Sequence, residues 1–174
     1  MARVTILTSG DGRLMRHLLD SAYFNEIEGL EIAGVVASDP NAYALTRARN
    51  MSVPCFVVDA QLFPNVASYG QALLNKLKDI DTDFVVLDDF RAGLGGAAKY
   101  YNGKIVGEHL SRVPEAVEVE AYLADEDGGT GKQLGKMRIE VQENDTSESL
   151  SRRVLETAEL PMLMDAVKKF CEDN

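Results

Sequence analysis

One of only two histidines in this 174-residue chain lies in GKIVGEHLSRVP, residues 103–114. An imidazole titrates near neutral pH and can hold or pass a proton, so His109 is the first candidate for acid–base chemistry. It follows a short apolar strand; the plainer reading is a structural loop histidine. The second candidate is SGDGR, residues 9–13, between an apolar run and a helical pattern. Backbone N–H groups in such a turn are unpaired and the helix dipole favours an anion, so Gly10, Asp11, Gly12 and Arg13 read as a phosphate site. The turn is neither GxGxxG, since Met15 takes the third glycine position, nor a Walker loop. Asp88 and Asp89 close another apolar run, where open α/β sheets bind ligands. Neighbours on a strand point to opposite faces, so the two make a poor acid–base pair and a poor metal site. DEDGGTGK, residues 125–132, lacks Walker spacing and reads as a tight hairpin.

The elements that must position these residues follow a regular order. VTILTS (4–9), LEIAGVVAS (30–38), VPCFVVD (53–59) and DFVVLDD (83–89) are strands. Helical patterns RLMRHLLDSAYF (13–24), DPNAYALTRARN (39–50) and SYGQALLNKLKDI (68–80) separate them. Four strands alternating with helices predict a Rossmann-like, doubly wound, mostly parallel α/β sheet. Beyond Asp89 the pattern changes. FRAGLGGAAKYYNG is loop or broken helix, and KIV (104–106) is a short strand. EAVEVEAYLA (115–124) and KQLGKMRIEV (132–141) predict an antiparallel hairpin near the C-terminal side. The stretch 144–170 forms closing amphipathic helices interrupted at Pro161, with Asp145 and Glu148 as a capping box. With no repeat and no linker, residues 1–174 read as a single domain.

Composition narrows the function classes. The net charge of -10 argues against nucleic acid and anionic membranes as partners. Cys55 and Cys171 fit no metal or redox spacing, and no run approaches membrane-spanning length, so a reduced cytoplasmic protein is expected. Nothing here sets the oligomeric state. A dinucleotide enzyme would use Asp39 near the end of the second strand, but the first turn lacks its third glycine.

Taken in order, five segments resemble the folate-dependent formyltransferases, most closely the phosphoribosylglycinamide formyltransferases. VTILTSGDG resembles their first strand and phosphate turn, and VVASDPNAYALTRARNMSVP their second strand and following helix. DTDFVVLDDF resembles the central strand, DEDGGTGKQLGKMRIEV the paired-glycine hairpin, and NDTSESLSRRVLETAELPMLMDAV the closing helices. The resemblance implies formyl transfer from 10-formyltetrahydrofolate to a small phosphorylated amine such as glycinamide ribonucleotide, in purine biosynthesis. Deformylation, with water as acceptor, is a variant within the class. His109 lands on the family's catalytic histidine and Asp127 on its catalytic aspartate, while Asp89, Phe90 and Arg91 fall in the folate-contacting segment. Gly107 stands where the family has an oxyanion-stabilising asparagine, and Thr157-Ala158 replaces its Glu-His. His109 and Asp127 are also about half as far apart in sequence as the family's pair. The implied activity is therefore a weakened one. The alternative is an inactive, formyltransferase-like binding or regulatory module for a phosphorylated ligand or a protein partner. Restoring the amide by Gly107→Asn is expected to raise activity.

Overall fold

The computed structural model describes residues 1–174. Its frame is β1 (Ala2–Thr8), α1 (Arg13–Tyr23), β2 (Leu30–Ala37), α2 (Tyr43–Asn50), β3 (Cys55–Val57), α3 (Val66–Asp79) and β4 (Phe84–Asp88). A short α4 (Gly96–Tyr100) leads to β5 (Ile105–Val113), β6 (Ala116–Ala124) and β7 (Thr130–Glu140), and then to α5 (Ser147–Val154) and α6 (Leu160–Asp173). The seven strands form one sheet in the order β3-β2-β1-β4-β5-β6-β7. Pairs from β3 to β5 are parallel, and β6 is antiparallel to both neighbours.

Alternation along each parallel strand explains why both faces are covered. Val4 and Ile6 on β1, Val35 on β2 and Phe84 and Val86 on β4 pack with Leu14, Leu18 and Leu163. Their neighbours Leu7, Val36 and Val85 pack on the opposite face with Tyr69, Leu73 and Leu77 of α3. Such runs are largely apolar because few of their positions face water. On that second face α3 meets the start of α4 backbone to backbone. A Cβ on Gly70 would lie 2.6 Å from Gly95 Cα and 2.7 Å from the Leu94 carbonyl oxygen. Gly70→Ala is expected to cost about 1–3 kcal/mol through this overpacking, measured by urea unfolding. An unchanged midpoint would contradict the close approach.

Three elements differ from the sequence reading. The strand expected to stop at Val106 continues through His109 to Val113, because β6 pairs with it over that whole length. The closing helix begins one residue later than expected. Thr146 is the N-cap, in a reciprocal pair with Ser149, and Asp145 instead accepts from the Gln142 N–H and pairs with Arg153. The expected interruption at Pro161 takes the form of a π-helical turn, Leu155–Glu159, directly before it. Proline has no N–H to give to the preceding turn, and a widened turn accommodates that loss without ending the helix.

Candidate active site

The order of strands reverses between β1 and β4, and in doubly wound sheets that junction opens a crevice beyond the carboxyl ends. A cavity of about 540 Å³ lies there, in the range of small-ligand sites. Its wall is built from the β1–α1 turn (Gly10 to Leu14), the end of β4 (Leu87 to Asp89), Arg91, Glu108 to Leu110 on β5, and Glu159 from the π-turn. Ser9 ties the β1–α1 turn to Ser38 beyond β2 and to Arg91. Its hydroxyl lies 2.6 Å from that of Ser38, accepts the Arg91 N–H at 2.9 Å, and its carbonyl accepts from the Arg91 guanidinium at 3.1 Å.

The residues read as a phosphate turn all line this cavity, but carboxylates already engage the Arg13 side chain and the first turn of the helix that follows. Asp88 Oδ2 accepts the Met15 N–H at 2.9 Å, so a buried carboxylate satisfies the first turn of α1 from within the chain. Arg13 reaches both carboxyl oxygens of Glu159 at 3.2 Å, and Glu159 is 2% exposed. A phosphate drawn to Arg13 would have to compete with Glu159. The expectation that adjacent aspartates diverge holds: Asp88 turns into the protein, whereas exposed Asp89 pairs with Arg91 at 2.9 Å. Partners on both carboxylates offset the desolvation that an unpaired acid would suffer there.

Glu108 was missed by sequence reasoning. Both its carboxyl oxygens are enclosed and have no hydrogen-bond partner. Burial pushes its pKa up to about 9, and the nearby charges of Glu159 and Asp88 push the same way. Burial also raises Asp88 against the opposing pull of the Met15 N–H, and raises Glu159 against that of Arg13. Perturbed acids crowded at one cavity are a mark of functional sites.

His109 lies on the other face of β5, directly opposite Glu120 of β6. Its Nε2 is 3.3 Å from Glu120 Oε2, and its ring centroid is 5.4 Å from that of Tyr122. Tyr122 in turn is paired with Gly107, and a Cβ at position 107 would lie 2.7 Å from the tyrosine hydroxyl. The room for a side chain at 107 is therefore filled from the neighbouring strand, and Gly107→Asn cannot simply add a donor as the sequence suggested.

Asp127 is not brought to His109. Only Pro114 and Glu115 separate β5 from β6, which permits a hairpin and no crossover, so β6 runs back along β5. His109 is level with Glu120, and the turn holding Asp127 begins beyond Ala124, four positions or about 13 Å further along. Asp127 is exposed on that turn, where its N–H donates to Asp125 Oδ1. Phe90, between Asp89 and Arg91, is half-buried and packs 6.4 Å from the Tyr69 ring instead of lining the cavity. No three His, Cys, Asp or Glu side chains are arranged to hold a metal ion. No helix is long and apolar enough to cross a membrane.

Comparison with known proteins decides the lineage of this cavity. A model described as formyl transferase matches residues 2–115, about two thirds of the chain. The chain belongs to the formyl transferase family. Among its relatives, phosphoribosylglycinamide formyltransferase of Bacillus subtilis (strain 168) is 23% identical over 171 residues, covering 88% of this chain and 87% of the relative. The trifunctional purine biosynthetic protein adenosine-3 of Bos taurus is 29% identical over 171 residues, covering 88% of this chain but only 17% of that protein. The crystal structure of glycinamide ribonucleotide transformylase 1 from Symbiobacterium toebii superposes with a TM-score of 0.87 at 24% identity, covering 99% of this chain and 89% of that one. The formyl transferase match thus includes β1 to β5, with His109, Gly107 and all of the cavity wall but Glu159, and ends before β6.

Proposed function

We propose that this formyl transferase moves a formyl group from 10-formyltetrahydrofolate to a primary amine, in the purine-biosynthetic setting that its relatives' names indicate. The observation that carries this reading is His109 beside Glu120 at the edge of the switch-point cavity. With the Glu120 carboxylate 3.3 Å from Nε2, the proton is favoured on that nitrogen and a lone pair is left on Nδ1. That nitrogen takes the proton which the amine must lose as it attacks the formyl carbon. The donor supplies the formyl group; the chain supplies orientation, proton transfer and exclusion of water. Asp89 and Arg91, the latter tied to Ser9, form the part of the wall against which the folate would rest, while Phe90 packs behind it.

Glycinamide ribonucleotide remains an acceptor to be tested, and the carboxyl-rich inner wall favours the amine end of an acceptor over a phosphate end. A second reading, an inactive binding module, draws support from the position of Asp127 outside the cavity and from the engagement of Arg13 by Glu159. Folate binding separates the two. With 5-formyltetrahydrofolate, a stable stand-in for the donor, at a hundred times its dissociation constant, stability should rise by about 2.7 kcal/mol. The melting temperature should climb by roughly 5–10 °C. No shift at saturation would leave the binding module as the better account.

A further inference from the structure

We infer that Tyr122 is a catalytic residue of this site, its hydroxyl donating a hydrogen bond to the oxygen that becomes negative during formyl transfer. The inference rests on the formyl-transfer reading and adds a group which that reading does not contain.

The chemistry sets the requirement. When an amine nitrogen bonds to a formyl carbon, the carbonyl π pair moves onto oxygen and an oxyanion forms. The tetrahedral species then collapses. The carbon–oxygen double bond returns, the bond to the donor nitrogen breaks, and that nitrogen receives a proton while the amine gives one up. Atoms and charge balance with no further reactant. The wall of this cavity is poorly suited to the oxyanion, since Asp11, Asp88, Asp89 and Glu159 contribute to it and the carboxyl oxygens of Glu108 are enclosed. Of the two arginines, Arg13 is committed to Glu159, and Arg91 to Asp89 and the Ser9 carbonyl. His109 has its Nε2 against Glu120. An O–H donor beside His109 is what the site still needs, and Tyr122 supplies one.

Its placement follows from the hairpin. The two-residue turn at Pro114-Glu115 sets Gly107 opposite Tyr122 and His109 opposite Glu120, so all four lie on one face. The absence of a side chain at Gly107 lets the phenol lie over the strand. The hydroxyl oxygen and Leu87 Cδ1 stand 2.7 Å and 3.2 Å from where a Cβ at 107 would be, and Leu87 lines the cavity. The hydroxyl thus stands beside Leu87, a cavity-wall residue, on the strand face that carries His109. Burial alone raises the tyrosine's pKa, with no neighbouring charge contributing, so the group stays a neutral donor throughout the working range of an enzyme. A rigid aromatic ring fixed between strands is pre-oriented, which is what makes an oxyanion donor effective.

The test starts from wild-type turnover of 10-formyltetrahydrofolate with a panel of primary amines, followed by Tyr122→Phe. The variant should lose about 100-fold in kcat, in the range for loss of one oxyanion donor, with KM for both substrates and the melting temperature unchanged. Gly107→Asn should also lose activity, because its Cβ displaces the hydroxyl. Adding Tyr122→Val to Gly107→Asn makes room for the amide and should recover part of the loss. Turnover of Tyr122→Phe within twofold of wild type, with the double variant no better than Gly107→Asn alone, would overturn the role of Tyr122 while leaving formyl transfer standing. No wild-type turnover with any acceptor would overturn the formyl-transfer reading itself, and the tyrosine's role with it.

Discussion

Replacing His109 by alanine is expected to lower formyl transfer by about 10²–10⁴-fold, the usual worth of a positioned acid–base group. The fold should survive, because the imidazole is half exposed at the cavity edge and touches Glu120 and the Tyr122 ring without entering either large core cluster. The loss should fall on kcat, since the proton changes hands only as the new bond forms. Glu120→Gln should reproduce part of it by removing the partner that fixes the imidazole tautomer, with an altered pH–rate profile as its signature. Circular dichroism and melting temperature would separate a chemical defect from an unfolded one. Turnover of His109→Ala equal to wild type would remove the histidine from the mechanism.

The largest stability effect is expected at Glu108. Its carboxyl group normally loses its proton near pH 4.5, but in the folded chain it holds the proton to about pH 9. Between those values the unfolded chain releases a proton that the folded chain must keep, so each step up in pH favours unfolding. This contribution to stability is fully present below about pH 4.5 and is lost as pH rises through about 9. Asp88 and Glu159 are shifted in the same direction and add to the slope. Glu108→Leu removes two enclosed, unpartnered oxygens, and exchanging such a group for an apolar one of similar size stabilises by about 1–4 kcal/mol. At pH 8 the variant should therefore melt on the order of 5–10 °C above wild type, with the difference shrinking towards pH 5. Thermal melts across pH 5–9 provide the check. A difference independent of pH would mean that Glu108 stays ionised in the folded chain.

The first half of the fold is legible in the sequence because strands covered on both faces leave apolar runs, as in AGVVA and FVVL, and glycine or proline lies near their ends. The second half is less so. Gly107, Glu108, His109 and Ser111 break the apolar pattern of β5, since beyond Val106 the strand leaves the two-sided core and forms the edge of a cavity. A family motif carries residue types but not strand direction, so the sequence alone could not show that Asp127 ends up at the far end of the hairpin. The partners of His109 were within reach. EVEAYLA has the alternation of a strand, and a two-residue turn at Pro114-Glu115 would have set Glu120 and Tyr122 opposite His109 and Gly107. Asp88 and Glu159 were harder, because their roles depend on the helix start and on the π-turn, which involve contacts across 73 and 146 residues of chain.

The measurement that bears most directly on the central claim is formyl transfer itself, followed with labelled 10-formyltetrahydrofolate and a set of primary amines that includes glycinamide ribonucleotide. The account predicts a formylated product from at least one amine, formed at least 100-fold more slowly by His109→Ala and Tyr122→Phe. No product from any acceptor, together with no stabilisation by the folate, would contradict it and leave a formyl transferase fold that binds without reacting.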